Sequence, residues 1–210
     1  MNDVLPHILA DVADYYSQRI EEHGTNSKGV DWNRAEEQNL RFELLMQITK
    51  DFKEYSINDL GCGYGALYES IDSDTRLKKY IGIDISKSMI NEAQQKFGIN
   101  DARSSFITGD KPKEKADFTI ASGLFNVKLN HSEKDWKSYV FQVLDIMNEF
   151  SQFGFAFNAL THYSDEDRKE ERLHYANPCE LFDICKMRYS RNIALLHDYN
   201  LYEFTILVRK

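Results

Sequence analysis

Cysteine is scarce in this chain of 210 residues, which contains three. Cys62, Cys179 and Cys185 stand at unrelated spacings, and an odd number of thiols cannot all pair within one chain. A disulfide framework uses an even set of cysteines, and a zinc site uses closely spaced ligand pairs. The composition therefore predicts reduced thiols and no metal site.

Long apolar runs are lacking as well. No stretch approaches the roughly 20 apolar residues that a membrane-spanning helix requires. The first seven residues include an acid and do not form a basic leader. We therefore expect a cytoplasmic protein without a membrane partner.

Positive charge is in deficit, with 26 basic against 34 acidic residues and a net charge of −8. Such an average field repels polyanions, so we expect no nucleic-acid partner. Proline is rare, and no proline- or glycine-rich linker divides the chain, so its length predicts a single domain over residues 1–210. Nothing in the sequence specifies an oligomeric state.

Glycine, by contrast, is concentrated in one short stretch. Gly61, Gly63 and Gly65 alternate with other residues after an apolar run that closes on Asp59 and Leu60, and a helical pattern follows. Alternating glycines let the backbone turn tightly and bring main-chain N–H groups close to a ligand. A strand, a glycine-rich turn and a helix are the usual opening of a nucleotide-binding α/β sheet.

The rest of the chain alternates between strand and helix patterns. Further strands are predicted at residues 80–85, 105–108, 116–121 and 153–157, and in the last of these Phe153, Phe155 and Phe157 would form one bulky face. Two terminal strands near Asn192–Leu196 and Leu201–Arg209 are joined by four residues, which suits an antiparallel hairpin. The pattern predicts an α/β three-layer Rossmann-like sandwich, with a seven-stranded, mostly parallel sheet and an antiparallel C-terminal strand.

A helical N-terminal extension precedes the first predicted strand. Apolar residues at helical spacing predict helices over residues 3–21 and about 33–51. We expect residues 1–54 to form a cap that lies across the ligand cleft of the core, residues 55–210. Tyr16, Trp32 and Arg41 are the candidates for closing over a bound cofactor.

Single residues do not decide which cofactor is bound. Gly61-x-Gly63-x-x-Ala66 fits a relaxed dinucleotide fingerprint, and Asp84 lies 23 residues after Gly61, where a ribose-binding acid belongs. Asp59, two residues before the first glycine, suits a bound ammonium group instead. A further acid after the third predicted strand, Asp110, suits an adenine amine.

Four segments follow one another in a set order: Asp59-Leu-Gly-Cys-Gly-Tyr-Gly65, Tyr80-Ile-Gly-Ile-Asp-Ile-Ser-Lys-Ser-Met89, Ile107-Thr-Gly-Asp110 and Ala116-Asp-Phe-Thr-Ile-Ala-Ser122. Together they resemble the ordered motifs of the seven-stranded, class I S-adenosylmethionine-dependent methyltransferases. The resemblance covers about residues 55–125. It implies the fold of that family and S-adenosyl-L-methionine as the cofactor.

The resemblance also implies cofactor contacts. By the match of motifs they are Asp59, Gly61, Gly63, Asp84, Ile85, Met89, Gly109, Asp110, Ser122 and Gly123. Asp84 would hold both ribose hydroxyls, Asp59 would lie near the methionine amino group, and Asp110 would take the adenine amine. Arg41 of the extension would reach the methionine carboxylate.

The methyl acceptor is predicted from weaker signals. Transfer from a sulfonium needs mainly alignment, and a hydroxyl acceptor gains from a general base. Candidate catalytic residues at predicted strand ends and connections are His131, His162 and His197. Candidate acceptor-lining residues are Phe125, Asn126, Tyr163 and Tyr199.

The fourth motif narrows the acceptor class. Family members that methylate exocyclic or amide nitrogens carry Asn/Asp-Pro-Pro-aromatic there, whereas this chain reads Ser122-Gly-Leu-Phe125. This difference and the acidic charge favour a small-molecule acceptor, such as a sugar, a surface-glycan precursor or a secondary-metabolite precursor. The histidines and tyrosines at the predicted rim favour O-methylation. The alternatives are an NAD(P)-dependent oxidoreductase, for which no Tyr-x-x-x-Lys pair stands in a suitable place, and a non-catalytic methyltransferase-like binding subunit.

Overall fold

A computed structural model describes residues 5–23, 35–98 and 101–210, and its centre is a seven-stranded β-sheet. The strands are β1 (Tyr55–Leu60), β2 (Leu77–Asp84), β3 (Ser104–Thr108), β4 (Ala116–Ala121), β5 (Ser151–Leu160), β6 (Asn192–Leu196) and β7 (Glu203–Arg209). They lie in the order β3-β2-β1-β4-β5-β7-β6, and β7 runs antiparallel to both of its neighbours. The predicted α/β fold, including the terminal hairpin, is confirmed.

Helices cover both faces of the sheet. They are α1 (Leu5–His23), α2 (Ala35–Met46), α3 (Ala66–Ile71), α4 (Lys87–Phe97), α5 (Glu133–Glu149) and α6 (Pro178–Arg188). The second predicted helix ends earlier than expected, because one 3₁₀ turn, Gln47–Thr49, follows α2. Within the described ranges, none of the helices is both long enough and apolar enough to cross a membrane.

The two faces of the sheet carry separate apolar cores. Ile57 and Phe118 pack in one core with Phe42 of α2 and with residues of α3 and α4. Ile83 lies in the other core with Trp136 of α5 and with residues of α1 and α6. Because successive strand residues point to opposite faces, the end of β1 presents side chains to both layers.

The predicted face of strand β5 is wrong at one residue. Phe155 and Phe157 belong to the core on the α5 side, whereas the Phe153 ring lies 5.1 Å from Phe52 and 6.4 Å from Phe118 on the other side. The pairing of β4 with β5 shifts register before Gly154, which has a φ of 153°. An irregularity of this kind adds a residue to one strand and reverses the alternation of side chains.

The connection from β3 to β4 shapes the ligand side of the molecule. Residues 109–115 join these strands without a helix. This crossover passes on the α5 side, where the Glu114 carbonyl accepts a hydrogen bond of 2.9 Å from Asn58 Nδ2. Residues 109–115 therefore place no helix over the α5 side of β2 and β3, and α1 and α5 border this region instead.

Helix α1 bridges the two layers by packing against both α4 and α5. Ile8 and Val12 are buried in the core on the α5 side. Polar contacts extend this attachment, since Arg172 Nη1 donates to the Tyr15 hydroxyl at 2.8 Å. The helix thus lies over the carboxyl edge of the sheet.

Candidate active site

A cleft opens at the carboxyl ends of the central strands, where parallel α/β sheets bind ligands. It encloses about 830 Å³, open mouth included, and it is bordered by α1, α4 and α5. Ten of the predicted cofactor residues line it: Tyr16, Gly61, Gly63, Asp84, Ile85, Met89, Gly109, Asp110, Ser122 and Gly123. The sheet register explains this convergence, because Asp59 pairs with Gly82 and Leu60 with Ile83, which places both strand ends at one edge.

Other residues that line the cleft were not singled out as ligand contacts by the sequence. They are Leu9, Val12, Leu60, Ile83, Leu124, Tyr139, Val143 and Ile146. Most of them come from α1 and α5, where they recur at helical spacing. Such spacing marks a buried stripe but does not distinguish a core contact from a cleft wall.

The floor of the cleft is the glycine turn between β1 and α3. Gly61 and Gly63 have φ values of 78° and 53°, in the region that favours glycine. A Cβ atom on Gly61 would lie 2.8 Å from Leu124 Cδ1, so the Leu124 side chain would have to shift. The Gly61 N–H donates to the Ile83 carbonyl at 2.8 Å and holds the turn against β2.

Asp84 ends β2 with a partly buried carboxylate. Its Oδ2 accepts from the Gly63 N–H and its Oδ1 from the Ser86 N–H, both at 2.8 Å. Burial raises the pKa of Asp84, and these backbone N–H groups counteract part of that rise. Each carboxylate oxygen has about two acceptor positions, so both oxygens retain capacity for hydroxyl donors.

Asp59 lies on the opposite side of the glycine turn. It lines an adjoining pocket under α2 together with Gln38 and Phe42, and this pocket shares Ser122 with the main cleft. The Tyr80 hydroxyl donates to Asp59 Oδ2. Burial raises the pKa of Asp59 to about 7, although the Tyr80 hydrogen bond opposes this rise.

Ser122 follows β4 and borders both the cleft and the pocket. Its Oγ is buried and has no hydrogen-bond partner in the described part of the chain. Buried hydroxyls normally have a partner, so this one is available to a ligand. The neighbouring Gly123 N–H is already used, since it donates to Asn158 Oδ1 at 2.8 Å.

The residues that the family resemblance assigns to the nucleoside differ in their exposure to solvent. Asp110 is exposed at the cleft, Ile85 is partly buried, and Met89 is almost fully buried against Tyr64. Met89 therefore belongs to a small core cluster as well as to the cleft wall. This set combines apolar surface with a carboxylate, as an adenine ring with its amine requires.

Arg41 is not among the residues that line the cleft. Its Nε donates to Glu203 Oε2 at 2.7 Å, and Asn158 Nδ2 donates to the same oxygen at 2.6 Å. These three side chains are buried, and we call them the Arg41–Glu203–Asn158 network. Through Asn158 the network reaches the Gly123 N–H at the cleft wall. Trp32 lies outside the described residues.

The three histidine candidates lie at the same edge of the molecule but do not line the cleft in the described residues. His131 Nε2 is 3.1 Å from Asp11 Oδ2 of α1. The His162 ring lies 4.0 Å from the Tyr163 ring, which is 5.9 Å from the His197 ring. Burial lowers the pKa of His197, and His162 lowers it further.

The other acceptor candidates make contacts within the protein. Phe125 is buried with its ring 5.3 Å from Phe157, and Asn126 Oδ1 accepts from the Leu160 N–H at 3.0 Å. The Tyr199 hydroxyl is 3.1 Å from Thr205 Oγ1. Phe125 and Asn126 therefore support the loop after β4.

The arrangement suits a ligand with a ribose, an adenine and an amino acid. Asp84 can accept from a diol, Asp110 from an exocyclic amine and Asp59 from an ammonium group. Gly61 and Gly63 lie between Asp59 and Asp84 and line the cleft. The residues present thus fit S-adenosylmethionine.

Comparisons with known proteins place these features in a family. A family model described as a methyltransferase domain matches residues 57–149. A protein of Mycobacterium tuberculosis (strain H37Rv) named as a candidate methyltransferase, Rv1506c, is 47% identical over 165 residues, which are 79% of this chain and 99% of that protein.

Solved structures show the same fold at low sequence identity. Magnesium protoporphyrin IX methyltransferase (ChlM) from Synechocystis PCC 6803 with bound S-adenosylhomocysteine superposes with a TM-score of 0.65 at 13% identity, over 98% of this chain and 97% of that one. The N-methyltransferase NodS from Bradyrhizobium japonicum WM9 gives a TM-score of 0.64 at 14% identity, over 93% and 97%. With its motifs, its sheet and a relative that is nearly half identical, the chain belongs to the class I S-adenosylmethionine-dependent methyltransferases.

Proposed function

We propose that this protein transfers a methyl group in line from S-adenosylmethionine to a hydroxyl group of a small-molecule acceptor. The observation that carries the placement of the cofactor is the Asp84 carboxylate. Its two oxygens each accept one backbone N–H and keep acceptor capacity beside the cleft. A ribose diol offers two O–H donors that match this carboxylate.

S-adenosylmethionine, when bound, supplies a methyl group activated by a positively charged sulfur. The protein binds and orients the donor: Asp84 holds the ribose, and Asp59 faces the ammonium group across the glycine turn. Ser122 and Gly123 line the methionine portion, while Ile85 and Met89 pack on the adenine and Asp110 accepts from its amine. Fixing the donor in this way leaves alignment of the acceptor as the main remaining requirement.

Helix α1 contributes the outer wall of the cleft. Leu9, Val12 and Tyr16 line it opposite the sheet. Apolar side chains at this position exclude water from the transfer, which strengthens every polar contact inside the cleft. In this proposal residues 1–54 act as the cap of a single domain that extends over residues 1–210.

The acceptor enters at the rim between α1 and the loops that follow β4 and β5. His131 lies there against Asp11, and His162, His197 and Tyr163 form a second group. An imidazole at this rim provides a base for a hydroxyl acceptor. Sugars, surface-glycan precursors and secondary-metabolite precursors are the acceptor classes we favour.

The solved relatives do not decide the acceptor atom, since one is described as an N-methyltransferase and another as a porphyrin methyltransferase. Support for oxygen comes from this chain's own residues. Ser122-Gly-Leu-Phe125 replaces the proline-containing motif of amide and exocyclic-nitrogen methylation. Identification of the methylated atom by mass spectrometry, after incubation with panels of hydroxyl and amine acceptors, tests this part. Methyl transfer to amines alone contradicts it.

Titration calorimetry with S-adenosylhomocysteine tests the cofactor site. Asp84→Ala removes hydrogen bonds to a charged acceptor that are worth about 1.5–3 kcal/mol each, so we expect the Kd to rise about 100-fold or more. Asp145→Ala is the control, because Asp145 pairs with Arg188 on the surface away from the cleft. A folded Asp84→Ala variant with unchanged affinity, or tighter binding of NAD than of S-adenosylhomocysteine, contradicts the proposal.

A further inference from the structure

Tyr139 of α5 is a buried phenol in the wall of the cleft that sequence reasoning did not identify. Its side chain is 2% exposed, and its ring lies 4.7 Å from the Trp136 ring. Within residues 5–23, 35–98 and 101–210, the Tyr139 hydroxyl makes no hydrogen bond to the protein. Because Tyr139 lines the cleft, its hydroxyl is placed to bind a ligand there.

The state of this hydroxyl is set by its surroundings. Burial raises the pKa of Tyr139, and the nearby Asp84 carboxylate raises it further. The phenol therefore keeps its proton throughout the neutral range and is a hydrogen-bond donor, not a base. Tyr139 and Asp84 line the same cleft.

The position of Tyr139 indicates which part of the cofactor it would contact. Asp59 and its pocket lie on the α2 side of the glycine turn, whereas Asp84, Ile85 and Asp110 open into the cleft that Tyr139 borders. In the proposed binding mode Asp84, Ile85 and Asp110 hold the nucleoside, whereas the Asp59 pocket receives the ammonium end of the methionine portion. Tyr139 shares the cleft with the three nucleoside residues and does not line the Asp59 pocket.

We propose that Tyr139 binds the cofactor by donating its O–H to the oxygen of a ribose hydroxyl that itself donates to Asp84. A hydroxyl group can donate one hydrogen bond and accept another, so one ribose oxygen can serve both residues. Hydrogen bonds linked in this way polarise and strengthen one another. The inference rests on the proposed placement of the ribose at Asp84.

Tyr139→Phe tests the contact with no change of ring shape. We expect the Kd for S-adenosylhomocysteine to rise about three- to tenfold, the effect of one neutral hydrogen bond. The melting temperature of the unliganded protein should hold or rise, because the variant removes a buried hydroxyl that has no partner in the described residues. A purely structural role for the hydroxyl predicts the opposite pattern, with a lower melting temperature and an unchanged Kd.

The matched control is Tyr189→Phe at the end of α6. The Tyr189 hydroxyl donates to Asp145 Oδ1 at 2.7 Å, outside the cleft. This variant should lose thermal stability and keep its affinity for S-adenosylhomocysteine. The two tyrosines thus separate the loss of a ligand contact from the loss of a protein contact.

Deoxy analogues locate the contact on the ribose. We expect the 2′-deoxy and 3′-deoxy forms of S-adenosylhomocysteine to bind the native protein more weakly than the parent compound. In Tyr139→Phe, one of the two deletions should cost at least threefold less affinity than it does in the native protein. Equal losses in both proteins for both analogues overturn the ribose contact.

The outcomes also separate this inference from the proposed function. If Asp84→Ala weakens binding while Tyr139→Phe leaves the Kd unchanged, the role of Tyr139 is wrong and the ribose assignment stands. If Asp84→Ala leaves the Kd unchanged, the ribose assignment fails and the inference fails with it. Both readouts are binding affinities and need no methyl acceptor.

Discussion

Asp59 and Asp84, two carboxylates near the ends of adjacent strands, differ in their hydrogen-bond donors. Asp84 accepts two backbone N–H bonds, which favour its charged form. Asp59 is deeply buried and accepts a hydrogen bond from the Tyr80 hydroxyl, and burial raises its pKa to about 7. Near neutral pH, Asp59 is therefore divided between its protonated and charged forms before a ligand arrives.

Asp59→Asn should stabilise the unliganded protein at high pH. The folded-state pKa is about 7 against an ordinary 3.8, so the stability that Asp59 contributes is complete below pH 3.8 and is lost as pH rises through 7. Asparagine stays neutral and avoids that loss. The gain should be near zero at pH 4 and reach about 3–4 kcal/mol above pH 7, since one pKa unit corresponds to about 1.4 kcal/mol.

Urea unfolding at several pH values measures this gain. In the same variant, binding of S-adenosylhomocysteine should weaken, because the ammonium group of the ligand loses a carboxylate. Opposite signs for stability and affinity would identify Asp59 as a residue retained for binding. A variant that is destabilised equally at pH 5 and pH 8 would contradict the prediction.

A binding residue can be predicted from the sequence when it stands at a fixed distance from a recognisable motif. Asp59 and Asp84 stand at fixed distances from the glycine turn, and the sheet register brings both to one edge. Tyr139 and Ser122 differ from this pattern, because what marks them is that neither hydroxyl has a hydrogen-bond partner among the residues that the structure describes. That property depends on the three-dimensional neighbours and leaves no mark on residue spacing.

At the scale of elements, the strand–turn–helix unit from β1 to α3 forms the binding floor. Its turn needs positive φ values, and a Cβ atom at Gly61 would displace the Leu124 side chain. The turn after β3 is different, because a Cβ atom on Gly109 would lie no closer than 3.8 Å to Ile83 Cγ2. The two cleft glycines thus differ in how well their positions would accept a Cβ atom.

Gly61→Ala should lower the stability of the unliganded protein by about 1–2 kcal/mol, the cost of a left-handed conformation for a residue with a Cβ atom. The contact with Leu124 adds to this loss. Gly109→Ala is the matched control and should change stability by less than about 0.5 kcal/mol. Thermal unfolding of both variants without ligand provides the measurement, and equal losses would show that the turn conformation is not the cause.

Elements with strong local signals were predicted well. Ser86 and Asn177, whose residue types favour the N-cap position, cap α4 and α6 with side-chain oxygens that accept from backbone N–H groups. The face of Phe153 was not predictable, because the register shift in β5 arises from its pairing with β4. A strand pattern read from sequence assumes strict alternation, and a bulge violates it.

At the scale of the whole molecule, the Arg41–Glu203–Asn158 network joins α2, β5 and β7. Three buried polar side chains meet at one carboxylate oxygen, and the network continues to the cleft through the Gly123 N–H. The sequence contains no sign of it, since its partners are far apart along the chain. The alternation of strands and helices could be predicted because it depends on neighbours along the chain.

Glu203→Gln should destabilise the protein by about 3–5 kcal/mol, because it removes the charge that lies 2.7 Å from the buried Arg41 Nε. Glu180→Gln is the control, since Glu180 pairs with Lys137 on the surface and should cost less than about 1 kcal/mol. Urea unfolding compares the two variants. A loss below 1 kcal/mol for Glu203→Gln would show that the network is not important for stability.

The separation of Arg41 from Glu203, 162 residues along the chain, affects how the protein matures during synthesis. At about 5–20 residues per second, a ribosome needs roughly 10–30 s to extend the chain from one to the other. For that whole interval the nascent chain lacks Glu203. Because β7 also pairs with β5, Asn158, which holds the Gly123 N–H, gains its contact with Glu203 only after β7 has been synthesised. Full support of the cleft wall therefore follows the synthesis of β7.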